Sequence, residues 1–435
     1  MRLRKRDVRV SILDGNYLSL EELALRLKGD VIGITDCSVC HENAIWLSDR
    51  AREANPNSTI ILGGPNASHL GIRILRRRSS VDLVVVGDGE AALGDIVEGT
   101  PYASVPGLCY RHGDRIIQNA GSDLPLNRAP IFDFSGLVPA FDRTRVPVPI
   151  AGIRGCIKAA KRGPCSYCSL LNASVRVMPS QQVWSQVDSL RDRYGVSYFF
   201  ETGDEFLVGN YPQRLLAARP RHLDDVRWRI YSSLDALSDG AMTILKRLNV
   251  ETVFVGVETI TPRALSVAGR PGYSCRDVVG VADRARSANI RLIASFILGL
   301  PGEDRNSIIA NCGFMYDLAS EYADVFEAIS VSIATPVAGS DLFLDVVSDD
   351  QINAEYRRYT GEDLATTDMF DYGVLTQLLV EHRTGVEYDW LVDKAVTAKE
   401  HIEFHNVKTS TFMGVELCEP GIETGRCAAN SNHPN

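Results

Sequence analysis

The sequence predicts an α/β protein with a doubly wound parallel sheet at the N-terminus, a β/α barrel in the middle and a small helical region at the C-terminus. Three observations support this fold class. Apolar runs alternate with helical patterns between residues 30 and 100, as in parallel sheets whose strands are joined by helices. The alternation returns from residue 147 to about 336 at barrel spacing. Beyond about residue 341 only helical patterns remain.

Composition places the chain among ordinary globular proteins. Its 435 residues suffice for two or three domains, and 45% are hydrophobic while 23% are charged. A net charge of −9 without a basic run argues against nucleic acid as a partner. The basic N-terminus precedes only a short apolar run, which predicts neither a signal peptide nor a membrane span. Ten cysteines without a secretory signal favour a reducing, cytoplasmic compartment.

The N-terminal region contains the predicted elements of the first sheet. A helix is expected from Ser19, which caps it, to Leu27, and a second helix over Ala44–Ala54. Four strands are expected, at Val8–Leu13, Asp30–Thr35, Ser58–Leu62 and Val81–Val86. The last two strands end in glycine turns, Gly63-Gly64-Pro65 and Gly87-Asp88-Gly89-Glu90. Parallel sheets bind ligands at the carboxyl ends of their strands, where both turns fall.

A Cys-x-x-Cys-His sequence follows the second of these strands, at Cys37, Cys40 and His41. It formally matches a site of c-type haem attachment, but the chain carries no export signal. We therefore interpret these residues as small side chains at a strand end. A redox-active pair at Cys37 and Cys40 is the alternative.

The segment from Gly155 to Cys168 organises the central region. It holds three cysteines, Cys156, Cys165 and Cys168, and follows a predicted strand at Ile150–Ile153. Thiolates are the preferred ligands of iron–sulfur clusters, and three of them leave one iron of a four-iron cluster open. A zinc site using Cys165 and Cys168 is the alternative, although no second ligand pair follows at suitable spacing.

This segment resembles the radical S-adenosylmethionine (SAM) superfamily, whose usual spacing is Cys-x3-Cys-x2-Cys. Here eight residues separate the first two cysteines. The resemblance implies a partial (β/α)6 TIM-type barrel and a [4Fe–4S] cluster held by the three cysteines. An electron from an external flavodoxin- or ferredoxin-type donor would cleave SAM to a 5′-deoxyadenosyl radical. No catalytic residue is assigned beyond the cluster ligands.

Further segments follow the superfamily pattern in order. Each lies after a predicted strand, at Ser197–Glu201, Thr252–Glu258 or Arg291–Leu298. The resemblance implies that the SAM contacts are Tyr167 near the adenine, Gly203, Asp204 and Glu205 at the amino group, Glu258 at the ribose, and Leu298 and Gly299 at the adenine.

The N-terminal region resembles the Rossmann- or flavodoxin-like cobalamin-binding domain that precedes many radical SAM cores. The resemblance makes Gly63 and Gly64 the candidate cobalamin contacts. Two departures leave cobalamin binding open: the Asp-x-His-x-x-Gly signature is absent, and the first strand and helix of the domain are missing.

These observations define the expected organisation and function. The predicted parts are a cobalamin-binding-type domain (1–124), a linker (125–149), a radical SAM core (150–340), a helical cap (341–415) and a mobile tail (416–435). The leading prediction is cobalamin-dependent C-methylation of a small molecule or peptide. The alternatives are a cobalamin-independent radical dehydration, decarboxylation, epimerisation or rearrangement, and a non-catalytic iron–sulfur or zinc protein.

Overall fold

The computed structural model describes residues 8–121, 123–129, 147–171, 174–270 and 272–410. Most of the predicted linker and the whole predicted tail at 416–435 lie outside these residues. No helix in the described part of the chain is long and apolar enough to cross a membrane. The described residues form two large sheets, one in each half of the chain.

The first sheet has five strands whose order in space follows their order along the chain. Three parallel strands are followed by an antiparallel hairpin. The strands are β1 (Val31–Thr35), β2 (Thr59–Gly63), β3 (Leu83–Val85), β4 (Leu108–His112) and β5 (Arg115–Gln118). The sheet is therefore mixed, with parallel pairing where helices connect the strands.

Four helices accompany this sheet: α1 (Leu20–Arg26), α2 (His41–Ala54), α3 (Pro65–Arg77) and α4 (Gly89–Val97). The predicted cap of α1 is present, because the Ser19 hydroxyl accepts from the Glu22 backbone and the Glu22 carboxylate accepts from the Ser19 backbone. Side chains of α2 and α3 share one apolar core, and α4 packs with the opposite face of the sheet. Helices thus cover both faces, as expected of a doubly wound domain.

The strand predicted at Val8–Leu13 is wrong. These residues form no strand, and none of their side chains is buried. The apolar side chains of this segment are only partly buried. Leu13, for example, packs at the margin of the core between α2 and α3. The edge of the sheet at this side is β1, which pairs only with β2.

The second sheet has seven parallel strands. Six follow in chain order as the partial barrel predicted from sequence, and the seventh comes from the end of the described chain. A separate antiparallel pair, β7 with β8, lies at the start of this region. The strands are β6 (Val148–Ile150), β7 (Ile153–Arg154), β8 (Arg176–Val177), β9 (Tyr198–Glu201), β10 (Arg227–Ser233), β11 (Val250–Glu258), β12 (Arg291–Leu298), β13 (Phe326–Ile333) and β14 (Lys408–Ser410).

The helices of the core region alternate with these strands and surround one large apolar cluster. Aromatic side chains such as Trp184 and Trp228 pack edge to face within this cluster. The helices are α5 (Ile157–Arg162), α6 (Ser180–Tyr194), α7 (Tyr211–Ala217), α8 (Asp239–Arg247), α9 (Pro262–Val267), α10 (Cys275–Ala288) and α11 (Arg305–Glu321).

The single strand predicted at Ile150–Ile153 is in fact divided between two sheets. Gly152 lies at the break, and its backbone N–H donates to both oxygens of Glu201, at 2.9 and 3.0 Å. A Cβ atom at position 152 would lie 2.6 Å from Glu201 Oε2 and 2.6 Å from the Tyr211 hydroxyl oxygen. The chain turns here because it packs directly on a buried carboxylate.

Four C-terminal helices complete the fold: α12 (Asp341–Val347), α13 (Asp350–Thr360), α14 (Tyr372–Thr384) and α15 (Tyr388–Phe404). Gly385, which has a left-handed backbone, ends α14 and separates it from α15. Side chains of α12, α13 and α14 belong to the same apolar core as α2 and α3. These helices therefore join the N-terminal sheet to the barrel.

Candidate active site

The carboxyl ends of the parallel core strands meet at one edge of the second sheet. Barrel enzymes place their functional side chains at this edge. The predicted SAM contacts beyond the cysteine segment lie at or directly after the ends of β9, β11 and β12, and the cysteine segment itself follows the separate strand β7. The topology therefore supports one site built from several strands.

The cysteine segment begins at Gly155, where a side chain cannot fit. Its φ is +88°, and a Cβ atom there would lie 2.2 Å from the Ser174 carbonyl oxygen. Between Cys156 and Cys165 the chain forms the short helix α5, which ends at Gly163 with φ +85°. The eight residues that separate the first two cysteines are thus mostly helical.

The three cysteines are free thiols. Cys165 is buried and Cys156 and Cys168 are half-buried, while the Cys168 backbone closes a turn on the Cys165 carbonyl at 2.9 Å. The Lys158 ammonium lies 2.9 Å from Cys165 Sγ. Burial, together with the neighbouring Cys165, Asp204 and Cys156, raises the pKa of Cys168 to about 11 against a hydrogen bond from the Leu170 backbone.

The donor set fits a cluster better than a single ion. Across the described residues, no three His, Cys, Asp or Glu side chains are grouped closely enough to hold one metal ion. Ligands of an iron–sulfur cluster bind different irons, so they need not converge on one point. The spacing of Cys156, Cys165 and Cys168 therefore disfavours the zinc alternative.

Tyr167 connects the cysteine segment to the end of β11. Its hydroxyl lies within hydrogen-bonding range of the Cys165 thiol and of the Glu258 carboxylate. Burial and the adjacent Glu258 charge raise the Tyr167 pKa far above its usual range, so the phenol stays neutral. The structure thus brings together two residues that the sequence assigned to different parts of SAM.

Glu258 itself has an unusual backbone. Its φ is +64°, and the register between β11 and β12 shifts between Gly256 and Glu258. A Cβ atom at position 256 would lie 2.2 Å from Glu258 Oε1, so the carboxylate folds back over Gly256. Left-handed backbone at a residue other than glycine is costly and is concentrated at functional sites.

Arg270 is a site residue that sequence reasoning missed. Its Nη2 donates to the Gly256 carbonyl at 2.6 Å and lies 3.5 Å from Glu258 Oε1. Burial raises the Glu258 pKa, and the charge of Arg270 and the Tyr167 hydrogen bond oppose that rise. Among the described groups Arg270 Nε is buried without a partner. No local pattern marks this arginine, because the loop after α9 has no period of its own.

The acidic segment after β9 divides into structural and exposed groups. Glu201 is fully buried and accepts backbone hydrogen bonds from Gly152, Ile153 and Gly203. Burial raises its pKa to about 8 against the effect of those N–H groups. The segment therefore begins with a carboxylate that organises the strand ends.

Two of the predicted SAM contacts in this segment have partners within the protein. Asp204 is exposed, and its Oδ2 accepts from the Gly155 backbone at 2.8 Å. Glu205 is buried and accepts from the Ser232 hydroxyl and the Ser233 backbone, at 3.0 and 2.7 Å. Asp204 is therefore the more available acceptor of the two, and it adjoins the cysteine segment.

The segment after β12 also depends on a buried acid. Gly299 has φ +80°, and its N–H donates to Glu303 Oε2 at 2.8 Å. The Thr259 hydroxyl donates to the other oxygen at 2.6 Å, so Glu303 joins the loops that follow β11 and β12. Burial raises the Glu303 pKa to about 7. Leu298 is fully buried, and its carbonyl accepts from Ala334.

The glycine turns of the N-terminal sheet have different surroundings. Gly64 has φ +114°, and a Cβ atom there would lie 2.4 Å from the Asp36 carbonyl oxygen. The Gly63 carbonyl accepts from the Asp36 backbone at 2.6 Å. Packing between the ends of β1 and β2 therefore accounts for glycine at position 64.

The turn after β3 contacts the core beside the cysteine segment. Asp88 Oδ1 accepts from Arg154 at 2.5 Å, and Glu90 Oε1 accepts from the same guanidinium at 2.5 Å. Arg176 also donates to Asp88. Arg154 stands two residues before Cys156, so the acids of this turn bind the core.

Comparison with known protein families gives a match for the core of this chain. Residues 152–314 match the model of the Radical SAM superfamily. This match confirms the prediction of a radical SAM enzyme with a [4Fe–4S] cluster and SAM as cofactors. The matched residues run from β7 to α11 and include all three cysteines.

Curated relatives extend the similarity over most of the chain. An uncharacterised methyltransferase of Pyrococcus horikoshii is 23% identical over 378 residues, covering 81% of this chain and 78% of the relative. The anaerobic magnesium-protoporphyrin IX monomethyl ester cyclase of Cereibacter sphaeroides is 24% identical, covering 79% of this chain and 58% of the relative.

Solved structures share the fold. The radical SAM methyltransferase TsrM of Kitasatospora setae, with cobalamin and a [4Fe–4S] cluster bound, has a TM-score of 0.64 at 15% identity, covering 91% of this chain and 86% of that one. The cobalamin-dependent radical SAM enzyme OxsB, with aqua-cobalamin and SAM bound, has a TM-score of 0.56 at 16% identity, covering 80% of this chain and 51% of that one. These likenesses confirm the predicted combination of a Rossmann-like sheet and a barrel.

Proposed function

We propose that this radical SAM enzyme catalyses cobalamin-dependent C-methylation of a small molecule or peptide. The observation that carries the proposal is the contact between the carboxyl edge of the N-terminal sheet and the cysteine segment. Asp88, after β3, pairs with Arg154 just before Cys156. A ligand held at that edge of the sheet would border the cluster site.

A second contact lies at the other end of the cysteine segment. His69 of α3 has its Nε2 3.1 Å from the carbonyl oxygen of Ser169, which follows Cys168. The same ring packs on Gly339, where a Cβ atom would lie 2.2 Å from it. Both ends of the segment therefore adjoin the N-terminal domain, which supports a cofactor shared between the two domains.

The residues of the chain then have distinct roles. Cys156, Cys165 and Cys168 hold the cluster, and Glu258 accepts the ribose hydroxyls of SAM. When bound, the cluster supplies the electron that cleaves SAM to a 5′-deoxyadenosyl radical, and cobalamin carries the methyl group. The protein positions these groups and excludes water.

The remaining SAM contacts are proposed on the resemblance to the superfamily. Gly203, Asp204 and Glu205 would serve the amino group as carbonyl and carboxylate acceptors, and Asp204 is the exposed one of the three. Tyr167, Leu298 and Gly299 form the adenine side of the site. The half-buried ring of Tyr167 gives that side an aromatic surface suited to a base.

Cobalamin fits the N-terminal domain in part. A cavity of about 340 Å³ lies at the carboxyl ends of β1 and β2, and its lining includes Ser38, His41, Asn66 and Phe370. This volume is at the low end for small-molecule sites, so it suits one portion of the cofactor, such as its nucleotide tail. Gly63 and Gly64 adjoin this cavity through Asn66 and remain the proposed cobalamin contacts.

A second candidate is a cobalamin-independent radical reaction on the same barrel. The observations that favour it are that Gly64 is required by packing on Asp36, and that Asp88 is already paired with Arg154 and Arg176. Each glycine turn thus has a structural reason that involves no ligand. The two candidates differ in whether the folded protein retains a corrin.

The test is anaerobic reconstitution of the protein with iron and sulfide, with and without hydroxocobalamin. After desalting, the visible spectrum reports retained corrin, and incubation with SAM and dithionite reports 5′-deoxyadenosine. We expect both, and loss of deoxyadenosine in the variant with Cys156, Cys165 and Cys168 all changed to Ala. Deoxyadenosine without retained corrin would select the second candidate, and failure to load iron would overturn both.

A further inference from the structure

The Cys-x-x-Cys sequence at the end of β1 has no part in the function proposed above. Cys37 and Cys40 border the short 3-10 turn Ser38–Cys40, which runs directly into α2. The proposed cluster ligands are Cys156, Cys165 and Cys168, so Cys37 and Cys40 are left without a role in that function. In a reducing compartment, a Cys-x-x-Cys pair between a strand and a helix is typical of thiol–disulfide exchange.

The turn brings the two cysteines into contact. The Cys40 N–H donates to the Cys37 carbonyl at 3.0 Å, which closes the turn. The Cys37 N–H donates to Cys40 Sγ at 3.2 Å, and the two thiols lie within hydrogen-bonding range of each other. Residues that close such a turn have Cα atoms less than about 7 Å apart, which is the range that a disulfide spans.

The pair is also accessible. Both cysteines are half-buried, and Val39 between them is 57% exposed. Burial and the neighbouring Cys37 raise the pKa of Cys40 to about 12, so we assign Cys40 as the resolving thiol, which reacts second.

We propose that Cys37 and Cys40 form a reversible intramolecular disulfide by exchange with a low-molecular-weight disulfide. The Cys37 thiolate attacks one sulfur of oxidised glutathione, and one glutathione leaves as thiolate. Cys40 then gives up its proton and attacks the Cys37 sulfur, and the second glutathione leaves. Two protein thiols and one disulfide thus become one protein disulfide and two thiols.

The disulfide would act on a turn that serves the neighbouring cavity. Ser38 and Val39 line that cavity. The turn lies between Asp36 and His41, which are both buried. The distance from His41 Nδ1 to Asp36 Oδ1 is 3.0 Å. Oxidation would fix the turn covalently between these two buried residues, and reduction would release it. The inference does not depend on which cofactor the cavity accepts.

The experiment treats the full-length protein and reads the result from its tryptic peptide of residues 29–50. This peptide contains Cys37 and Cys40 and no other cysteine. The full-length protein is equilibrated anaerobically in reduced and oxidised glutathione at a series of ratios, quenched with acid and alkylated. Mass spectrometry then separates the dithiol, the internal disulfide and the glutathione adduct. We expect the internal disulfide to replace the dithiol, with an adduct fraction below about a tenth because ring closure is intramolecular.

One variant and one internal control test whether Cys40 is required to close the disulfide. In Cys40→Ser the resolving thiol is lost, so Cys37 should accumulate as the glutathione adduct. Cys275, which is half-buried and lies on a different helix, provides an internal control that forms only an adduct. A wild-type peptide that stays a dithiol at all ratios, or that yields only adducts as Cys275 does, would overturn the proposal.

Discussion

Arg270 and Glu258 form a close pair inside the candidate active site, with Nη2 of the arginine 3.5 Å from Oε1 of the glutamate. Both side chains are about nine-tenths buried. Breaking a buried pair by removing one partner leaves an uncompensated charge. The charge of Arg270 therefore opposes the rise in the Glu258 pKa that burial causes, and so favours the carboxylate as an acceptor of hydrogen bonds from a ligand.

Replacing Arg270 with Gln should weaken SAM binding. Without the guanidinium the Glu258 pKa rises further, and a protonated carboxyl is a poorer acceptor for two hydroxyl groups. We expect the Kd for SAM to increase at least about tenfold and the free energy of unfolding to fall by about 3 kcal/mol. Calorimetry of the cluster-loaded protein measures the first quantity and urea unfolding the second. Arg270→Lys should recover part of both, and unchanged affinity in Arg270→Gln would contradict the assigned role.

Replacing Gly256 with Ala should displace the Glu258 side chain. The new Cβ would lie 2.2 Å from Glu258 Oε1 and 3.1 Å from Arg270 Nη2, so the carboxylate must move. We expect a clear loss of SAM affinity while iron loading is retained. Gly313→Ala within α11 is the matched control, since no atom lies within 4 Å of its added Cβ. That control should gain about 0.5–1 kcal/mol of stability and keep its SAM affinity.

Replacing Asp88 with Asn should loosen the N-terminal domain from the barrel. Hydrogen bonds from Arg176 and Leu124 and the charge of Arg154 lower the Asp88 pKa, although burial acts against them. A lowered folded-state pKa means that this stabilisation is present above the unfolded-state pKa and is lost as the pH falls through the folded-state value. The advantage of wild type over Asp88→Asn should therefore begin to decline below about pH 4 and continue to fall at lower pH.

The measurement for this variant is urea unfolding at pH 7 and at about pH 3.5, together with limited proteolysis between residues 125 and 147. Asp114→Asn, at the exposed tip of the β4–β5 hairpin, is the control and should change neither result. Equal stability of Asp88→Asn and wild type at pH 7 would show that the ion pairs with Arg154 and Arg176 contribute nothing measurable.

Glu201 should make stability fall as pH rises. Burial raises its pKa from 4.5 to about 8, so the folded state holds a proton that the unfolded state has released. Its contribution is complete below pH 4.5 and is lost as pH rises towards 8. Glu201→Gln keeps an oxygen for the Gly152 and Gly203 N–H groups and cannot ionise. Its free energy of unfolding should therefore decline less than that of wild type across this window.

Urea unfolding at half-unit steps of pH from 4.5 to 8.5 measures that decline. Glu303, whose pKa of about 7 is raised by burial, contributes with the same sign, so the slope in Glu201→Gln should be reduced and not abolished. The double variant with Glu303→Gln should be flatter still. An identical slope in wild type and Glu201→Gln would rule out a buried, protonated Glu201.

Local patterns predicted most elements well. The strand at Arg291–Leu298 has the predicted bounds, and Ser19 caps the helix predicted to begin there, because the apolar period and the end signals agree at these places. Val8–Leu13 carries the same apolar signal as a strand, yet it does not pair with β1, the edge strand on that side of the sheet. Whether an apolar run pairs depends on partners distant in the chain, which a local pattern does not contain.

The site shows the same division between local and distant information. The cysteines and Glu258 stand in recognisable motifs, so the sequence reveals them. Arg270 and Asp88 act through partners that only the fold brings close to them. No local sequence pattern around either residue indicates which residue its partner is. Asp88 was expected at a ligand-binding turn because its glycines are those of such turns, but its carboxylate binds the arginines of the core.

The helix between the first two cysteines has a consequence for how ligand spacing is read from a sequence. Gly155 and Gly163, both with positive φ, flank α5, and the helix takes up six of the eight residues between Cys156 and Cys165. A helix rises only about 1.5 Å per residue, so its two ends lie much closer together than the ends of an extended segment of the same length. A long interval between two ligands in the sequence therefore does not by itself mean a long distance between them in space.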